Sequence, residues 1–323
     1  MNVFVTGGAG YIGSVCVEEL LNADHEVTVY DNLSEGHRGA VDQRAVLVQA
    51  CLSDEETIAQ ALRDSKAEAI IHFAAHALVS ESMTNPGKYF RNNVAHAIHL
   101  LNCAVAAGVK KFVFSSSCAT YGVPEAVPMS ESLPQRPVNP YGESKLIVEK
   151  MLPWYQQIHG LEFVAFRYFN AAGASGQFGE HHRVESHLIP NVLKVALGLA
   201  PHCEIFGTDY PTPDGTCIRD YVHVIDLAQA HILAMAPGKQ GFYNLGNGDG
   251  YSVRQVIKAC EEVTGQKIPA LEKARRPGDP PRLIASAEKA KRELGWSPKS
   301  PKLEQIVASA WQWHKNHARG YDN

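Results

Sequence analysis

The sequence predicts an α/β fold built on a doubly wound parallel sheet, with a smaller C-terminal α/β lobe. Apolar segments of strand length alternate with segments of helical periodicity along the first half of the 323-residue chain. The strand-like segments, such as residues 69–73 and 111–114, are continuous apolar runs, which is typical of strands covered by helices on both faces. A glycine cluster follows the first strand, where a helical pattern begins.

The first half of the chain is predicted to form one sheet domain. Strands are predicted near residues 2–6, 26–30, 45–49, 69–73, 111–116 and 161–168, and helices near 11–23, 54–64, 86–107 and 139–158. Pro86 and Pro140 stand at or near helix starts, where proline is tolerated. Because strands and helices alternate, we assign residues 1–170 to a doubly wound domain.

The composition of the chain changes after Asn170. Residues 171–185 are rich in Gly, Ala, Ser and His, and residues 207–218 and 269–283 are rich in Pro and Gly. Further helices are predicted near 186–198, 223–236, 252–264, 286–294 and 302–317. We assign residues 171–323 to a lobe that caps the C-terminal edge of the sheet, where open α/β folds bind ligands. Part of this lobe, near 219–240, is expected to return to the first domain.

The glycine cluster is predicted to bind a dinucleotide. Gly7, Gly10 and Gly13 lie between a strand and a helix, the context that such a glycine motif requires. Glycines let the backbone approach a pyrophosphate, and the helix N-terminus offers N–H groups and the positive end of its dipole. Asp31 ends the second strand, where an acid accepts from a ribose hydroxyl and repels a 2′-phosphate. The motif therefore favours NAD over NADP.

Tyr141 and Lys145 are predicted to form an acid–base pair, because residues four apart share one face of a helix. A free tyrosine has a pKa of about 10, too high for a base at neutral pH. A neighbouring ammonium favours the phenolate and is expected to lower the pKa of Tyr141. Ser117 ends a serine-rich strand and is predicted to bind the oxygen whose proton moves. Such a trio suits removal of a proton from an alcohol while a hydride leaves the same carbon.

Composition limits the partners. The formal net charge of −4 gives no electrostatic reason to expect nucleic acid or an anionic membrane. No signal peptide is expected at the N-terminus, and no stretch is apolar enough to span a bilayer. Seven cysteines without a CxxC pair favour the reducing cytoplasm.

No metal site is predicted. His96 and His99 stand at helical spacing without a third ligand, and His181 and His182 lie in a polar segment. All four are interpreted as polar surface.

Together these motifs resemble the extended short-chain dehydrogenase/reductase superfamily and, within it, the UDP-glucose (UDP-galactose) 4-epimerase family. The resemblance runs from residues 6–13 to 311–313. The superfamily motifs lie at 6–13, 30–33, 71–74, 92–94, 115–117 and 141–145. The motifs at 205–212, 214–224 and 275–279 are more specific to the epimerases.

The resemblance implies NAD-dependent interconversion of UDP-glucose and UDP-galactose, by oxidation at C4 to a 4-keto sugar, rotation and reduction from the other face. Tyr141 would be the acid–base group, Lys145 its tuner and a nicotinamide-ribose ligand, and Ser117 the partner of the sugar 4-oxygen. The implied cofactor residues are Gly7, Gly10, Tyr11, Ile12, Gly13, Asp31, Asn32, Phe73, Ala74, Asn93, Tyr141, Lys145 and Tyr168. The implied substrate residues are Ser117, Tyr141, Asn170, His187, Leu188, Phe206, Arg219, Arg276, Asp279 and Leu283.

Several of these roles have a simpler alternative. Arg219 and Arg276 would neutralise the diphosphate, but Arg219 could instead pair with its neighbour Asp220. Leu283 would border the hexose and disfavour a 2-acetamido group, or it could simply pack in a strand. Family members are commonly homodimers joined through the two helices that correspond to 86–107 and 139–158.

The chain departs from the family pattern at two cofactor contacts. Cys51 stands where many members have an Asp that contacts the adenine amine, and Ala77 stands where some have a Lys near the NAD phosphates. These departures leave the tightness of NAD binding open.

Three alternative functions remain: epimerization of another UDP-sugar, nucleotide-sugar 4,6-dehydration and non-catalytic NAD sensing. Cys118 and Ala119 stand where the dehydratases carry an Asp-Glu pair, which argues against dehydration. Tyr141 and Lys145, which a sensor can dispense with, are both present.

Overall fold

The computed structural model describes residues 1–276 and 278–321. Pro277, within the predicted motif at 275–279, lies outside the described residues. The strands are β1 (Asn2–Thr6), β2 (Glu26–Asp31), β3 (Val46–Gln49), β4 (Ala69–His72), β5 (Lys111–Ser117), β6 (Glu162–Tyr168), β7 (Asn170–Ala172), β8 (Cys203–Phe206), β9 (Ile218–His223), β10 (Gly241–Leu245), β11 (Gly250–Ser252), β12 (Ala270–Lys273) and β13 (Arg282–Leu283). The helices are α1 (Tyr11–Asn22), α2 (Glu55–Asp64), α3 (Val79–Ser82), α4 (Pro86–Tyr89), α5 (His96–Ala106), α6 (Pro140–His159), α7 (Leu188–Ala196), α8 (Val224–Ala234), α9 (Val253–Thr264), α10 (Glu288–Leu294) and α11 (Leu303–Asn316).

The large sheet has seven strands in the order β10-β6-β5-β4-β1-β2-β3, and all its pairs are parallel. The order reverses between β1 and β4, which is the switch point where open α/β sheets bind ligands. This topology confirms the predicted doubly wound α/β class.

Helices cover both faces of this sheet because successive residues of each strand point to opposite sides. On β1, Val3 and Val5 pack in one core with α1 and α8, while Phe4 packs in another with α2, α5 and α6. All three side chains are at most 1% exposed. Strands buried on both faces explain why the sequence shows apolar runs instead of alternation.

The helix predicted over 86–107 contains a widened turn. α4 continues through a π-helical segment, Phe90–Ala95, into α5. Such segments occur often at functional sites. Here the segment turns Asn93 inward, where its side chain bonds both backbone groups of His76 and the hydroxyl of Ser144 on α6.

The second lobe contains two small sheets. β9 pairs with β7, β11 and β13, and β8 pairs with β12. A third core joins β7, β8, β9 and β11 to α7, α9 and α11. α8 packs on α1 and β10 pairs with β6, so residues 224–245 lie against the large sheet, whereas β9 lies in a small one. The division at residue 170 remains a prediction. None of the helices in the described part of the chain is both long and apolar enough to cross a membrane.

Candidate active site

The glycine turn between β1 and α1 has room for backbone but not for side chains. Gly7 has a φ of 75°, and a Cβ on it would lie 2.5 Å from the backbone nitrogen of Ala74. A Cβ on Gly13 would lie 2.2 Å from the carbonyl oxygen of Gly7. α1 therefore starts directly against the end of β1, and its first N–H groups face the sheet edge. This cradle fits the pyrophosphate of a dinucleotide.

Asp31, at the end of β2, is held beside this turn. Its carboxylate accepts from the backbone N–H of Ala9 at 3.0 Å and of Leu33 at 2.8 Å. Burial raises the pKa of Asp31, and these two hydrogen bonds oppose that rise. The carboxylate retains further acceptor sites, which a ribose hydroxyl can use.

A cleft of about 600 Å³ opens at the switch point between β1 and β4. The cleft is lined by six residues that were predicted to bind the cofactor, namely Gly7, Gly10, Asp31, Asn32, Phe73 and Ala74. Cys51 lines the same cleft. Ala77 is exposed nearby. The structure adds lining residues that the motifs did not indicate, among them Ser34, Glu35 and His76.

Ser117 and Tyr141 meet at the carboxyl end of β5. Asn139 caps α6 by accepting from the N–H of Gly142 at 2.8 Å, and Pro140 occupies the first turn. A Cβ on Gly142 would lie 2.5 Å from the carbonyl oxygen of Ala119, so only glycine allows this close approach. The approach brings the side chain of Ser117 close enough to the phenol of Tyr141 to lower its pKa.

Lys145 lies beside this pair and is buried. Its Nζ donates to the carbonyl oxygen of Ser115 at 2.7 Å and lies 6.0 Å from the centroid of the Tyr141 ring. Burial lowers the pKa of Lys145 to about 7, although Glu149 opposes this.

The predicted lowering of the Tyr141 pKa is wrong for the protein chain by itself. Burial raises the pKa of Tyr141 to about 12, although the hydrogen bond from Ser117 lowers it. Desolvation disfavours both the phenolate and the ammonium, so each side chain is pushed towards its neutral form. A base at neutral pH therefore needs a further positive charge near Tyr141.

Three other predicted cofactor residues make contacts within the protein. The phenol of Tyr168 bonds His231, and the phenol of Tyr11 donates to the carbonyl oxygen of Gly173 at 2.6 Å. Ile12 packs against the core beneath the sheet. Their backbone, close to the sheet edge, is the part that can face a cofactor.

Arg219 and Asp279 form an ion pair that joins β9 to the segment before β13. The side chain of Arg219 is 13% exposed, and it also donates to the carbonyl oxygen of Ile218. Burial opposes the charge on Arg219, but Asp279 raises its pKa. Arg276 stacks on Phe206, with its guanidinium 4.0 Å from the ring centroid. Two cations and an aromatic ring therefore gather at one corner of the lobe.

Asp220, the alternative partner of Arg219, bonds backbone groups of neighbouring loops instead. Asp220 accepts from three backbone N–H groups, those of Asn247, Gly248 and Ala285. Burial raises its pKa to about 6. Its backbone carbonyl accepts from the side chain of Asn170 at 2.9 Å, so Asp220 organises the loops around the predicted UDP residues.

The remaining predicted substrate residues lie on two short segments. His187 immediately precedes α7 and contacts Glu180, and Leu188 is the first residue of α7. Leu283 lies in β13 opposite Arg219, half-buried against Tyr121, Met129 and Phe169. The location of Leu283 is thus compatible with both of its proposed roles, packing in the strand and bordering the predicted hexose site.

A buried network behind Lys145 was missed by the sequence analysis. Glu149 forms a 2.7 Å ion pair with Arg167 and also bonds Ser116, next to the predicted catalytic Ser117. Glu149 follows Lys145 by four residues, so the helical spacing that links Tyr141 to Lys145 could have revealed it.

An enzyme that moves a hydride between a dinucleotide and an alcohol needs a glycine cradle and, within reach of it, a proton-transferring side chain. The geometry above defines this class of enzyme. The chain belongs to the NAD dependent epimerase/dehydratase family, whose model matches residues 3–246.

Individual relatives match along the whole chain. A UDP-glucose 4-epimerase of Streptococcus mutans is 50% identical over 331 residues, covering 100% of this chain and 99% of the relative. The structure of UDP-glucose 4-epimerase from Brucella ovis in complex with NAD is 43% identical with a TM-score of 0.93, covering 97% of this chain and 98% of that one. The structure of the Bifidobacterium longum enzyme in complex with NAD+ and UDP is 37% identical with a TM-score of 0.95, covering 99% of this chain and 100% of that one.

Proposed function

We propose that this chain is an NAD-dependent isomerase that interconverts UDP-glucose and UDP-galactose by inverting C4 of the sugar. The observation that carries the proposal is the proximity of Ser117 to the phenol of Tyr141, with Lys145 alongside, at the sheet edge that holds the glycine cradle. The relatives that match the whole chain are named for this reaction.

NAD, when bound, supplies the hydride acceptor and a positive ring. The backbone of Gly7 to Gly13 would hold its pyrophosphate, and Asp31 its adenosine ribose. A 2′-phosphate near the Asp31 carboxylate would be repelled, so NADP should bind poorly. Denaturing the purified protein should release NAD, and NADP as the main nucleotide would contradict this role of Asp31.

Tyr141 takes the proton of the C4 hydroxyl and later returns it. Ser117 holds the same oxygen during both transfers, and Lys145 stabilises the phenolate with its ammonium. Because burial raises the pKa of Tyr141 to about 12 in the chain itself, the positive charge of the oxidised cofactor is the additional stabilisation that the phenolate needs. The base is therefore strongest when the cofactor is ready to accept the hydride.

The second lobe holds the nucleotide while the sugar turns. Arg219 and Arg276 would bind the diphosphate through charge-assisted hydrogen bonds, Asn170 and Asp279 would complete the UDP site, and Phe206 would lie near the uracil. A 4-keto sugar tethered in this way can rotate and take the hydride back on its other face.

Proton NMR of UDP-glucose incubated with the purified protein tests the proposal. The galactose anomeric signal should grow to equilibrium without stoichiometric consumption of NAD. A 6-deoxy-4-keto product would instead indicate a dehydratase. No turnover with NAD supplied would support a sensor.

The enzyme is also proposed to be a cytoplasmic homodimer. Trp154 and Ile158 lie four residues apart on α6 and are 62% and 66% exposed, while Phe90, the first residue of the π-helical segment, is 37% exposed. A second copy of the chain could cover these exposed apolar side chains. All seven cysteines are free, which is typical of a protein in a reducing compartment such as the cytoplasm. Ile158→Glu should shift the sedimentation coefficient to that of a monomer, whereas Leu199→Glu, at an exposed site in the second lobe, should not. A monomeric wild type would exclude the dimer.

A further inference from the structure

Four side chains with metal-binding atoms converge in the segment before α7. Glu180, His182, Glu185 and His187 each offer one such atom, and these four atoms all lie within 4.8 Å of one another. We propose that they bind one Zn²⁺ ion. The site shares His187 with the implied substrate residues and is separate from the residues assigned to proton transfer.

The side chains are already directed at one another. Nδ1 of His182 lies 3.5 Å from Oε1 of Glu180 and 3.2 Å from Oε2 of Glu185. Nδ1 of His187 is in direct contact with the same Oε1 of Glu180. Two ligands of one zinc ion lie at most about 4.4 Å apart, because zinc bonds to nitrogen and oxygen measure about 2.0–2.2 Å. In a tetrahedral zinc site two such ligands lie about 3.3–3.6 Å apart, so closing the site requires the ligand atoms to shift by up to about 1 Å.

The charges of this cluster also favour a cation. The side chains of Glu180 and Glu185 are each only 4% exposed, so two carboxylates are held together with little help from water. Among the described residues, the ion pairs of these two carboxylates are with histidines alone. A divalent ion would place two positive charges between these carboxylates.

The donor set identifies the kind of metal. Two imidazole nitrogens with two carboxylate oxygens suit Zn²⁺ and similar transition metals, whereas Ca²⁺ and Mg²⁺ prefer oxygen ligands only. The side chain of His187 is 56% exposed, which gives an ion a path from solvent. Four protein ligands would leave no open coordination position, so the ion is proposed to be structural.

The site would connect the two lobes. The ring of His182 meets the ring of Tyr11 edge to face, with centroids 6.1 Å apart, and Tyr11 is the first residue of α1. His187 precedes α7. An ion held by both histidines would thus fix the start of α7 against the start of the helix that forms the glycine cradle. No metal was predicted from the sequence because His181 and His182 were considered without the two glutamates.

Zinc titration by calorimetry tests the proposal on full-length protein that has been dialysed against a chelator. We expect one Zn²⁺ per chain. Losing an outer-shell partner weakens metal binding by about 10–100-fold. His182→Gln and Glu185→Gln each remove a proposed ligand, so each should weaken Zn²⁺ binding by more than that. His99→Gln and Glu55→Gln are matched controls, because they alter a surface His–Glu pair with a 3.7 Å separation and should leave Zn²⁺ affinity unchanged.

Zinc X-ray absorption on the wild type needs no variant and covers the case in which a substitution unfolds the protein. Nitrogen and oxygen scatterers with an imidazole pattern are expected. Absence of stoichiometric Zn²⁺, sulfur scatterers, or equal affinity in the folded site variants and the controls would overturn the proposal.

Discussion

The glycine turn of the large sheet and the arginine corner of the second lobe hold their predicted ligands by different means. At the turn the backbone itself forms the site, since added Cβ atoms on Gly7 and Gly13 would collide with neighbouring backbone. At the corner, side chains from distant segments meet, as in the pair of Arg219 with Asp279, sixty residues apart. The first site is set by local chain geometry and the second by charge between separate elements.

This difference matches what the proposed reaction asks of each lobe. The cofactor must stay fixed through both hydride transfers, and a cradle made of backbone cannot rearrange without moving β1 and α1. The substrate must keep its nucleotide while its sugar turns, and long arginine side chains can hold a diphosphate without fixing the hexose. Substitutions in the two regions should therefore separate cofactor affinity from substrate affinity.

The largest expected effect lies between the two regions, at Tyr141. Tyr141→Phe removes the proton acceptor and should lower kcat by about 10²–10⁴-fold, the usual contribution of acid–base catalysis. NAD and UDP binding should persist because only a hydroxyl is lost. Tyr155→Phe, which removes a partly exposed hydroxyl from the same helix, is the control. A near-wild-type rate for Tyr141→Phe would exclude it as the base.

The next largest effect should follow Arg219→Ala. This change removes a cation proposed to bind the diphosphate and leaves Asp279 in a partly buried site without its partner. We expect UDP affinity to fall roughly 30-fold or more, or at least about 2 kcal/mol. Calorimetric titration with UDP measures this. NAD affinity should be unchanged, as should both affinities in Arg254→Ala, which removes an exposed ion pair with Glu272 from the same lobe. Equal losses of NAD and UDP affinity would contradict the separation of the two sites.

Gly13→Ala should weaken NAD binding and leave UDP binding unchanged, which is the opposite of the result expected for Arg219→Ala. The added Cβ would lie 2.2 Å from the Gly7 carbonyl oxygen, so α1 must move away from the turn. Overpacking of this kind costs about 1–3 kcal/mol, which corresponds to NAD binding weakened roughly 10- to 100-fold. Gly176→Ala is the matched control, because a Cβ there meets nothing within 4 Å. A fluorescence titration with NAD measures the affinity of both variants. Unchanged NAD affinity in Gly13→Ala would show that the cradle tolerates a side chain.

A smaller effect concerns pH. Because burial lowers the pKa of Lys145 to about 7 from 10.5, the unfolded chain binds the extra proton between these values. Stability due to Lys145 should therefore rise with pH across this window, by up to about 1.4 kcal/mol per pH unit, and be lost as pH falls towards 7. In urea unfolding, the free energy of unfolding of the wild type minus that of Lys145→Met should increase with pH across this window. Parallel pH profiles would place the charged lysine in a solvated site.

Much of the large sheet could be predicted from sequence, because its signals are local. The bounds of the predicted strands and helices there agree with the structure to within one or two residues, although the edge strand β10 was not predicted. The glycine motif needed only its flanking strand and helix. The strands of the second lobe could not be predicted, since β7, β11 and β13 have two or three residues each and exist only through pairing with β9. The pKa of Tyr141 was predicted in the wrong direction because burial, which dominates it, depends on tertiary packing.

The smallest and most local effect is expected at Leu283, which lies where the two regions meet. It pairs with Arg219 in the second lobe and packs against Tyr121, which follows the turn at the end of β5. If its side chain borders the hexose, a 2-acetamido group must displace it. That would disfavour acetylated sugars by about tenfold, at the lower end of the about 1–3 kcal/mol that overpacking costs.

Leu283→Ser should therefore raise kcat/KM for UDP-N-acetylgalactosamine relative to UDP-galactose. Ile284→Ser is the matched control, because Ile284 directly follows β13 and its side chain lies against Gly250 instead. Loss of stability in both variants with changed selectivity in Leu283→Ser alone would separate a role in specificity from packing. Unchanged selectivity in Leu283→Ser would show that the leucine only packs in β13, and equal use of both sugars by the wild type would show that it excludes neither.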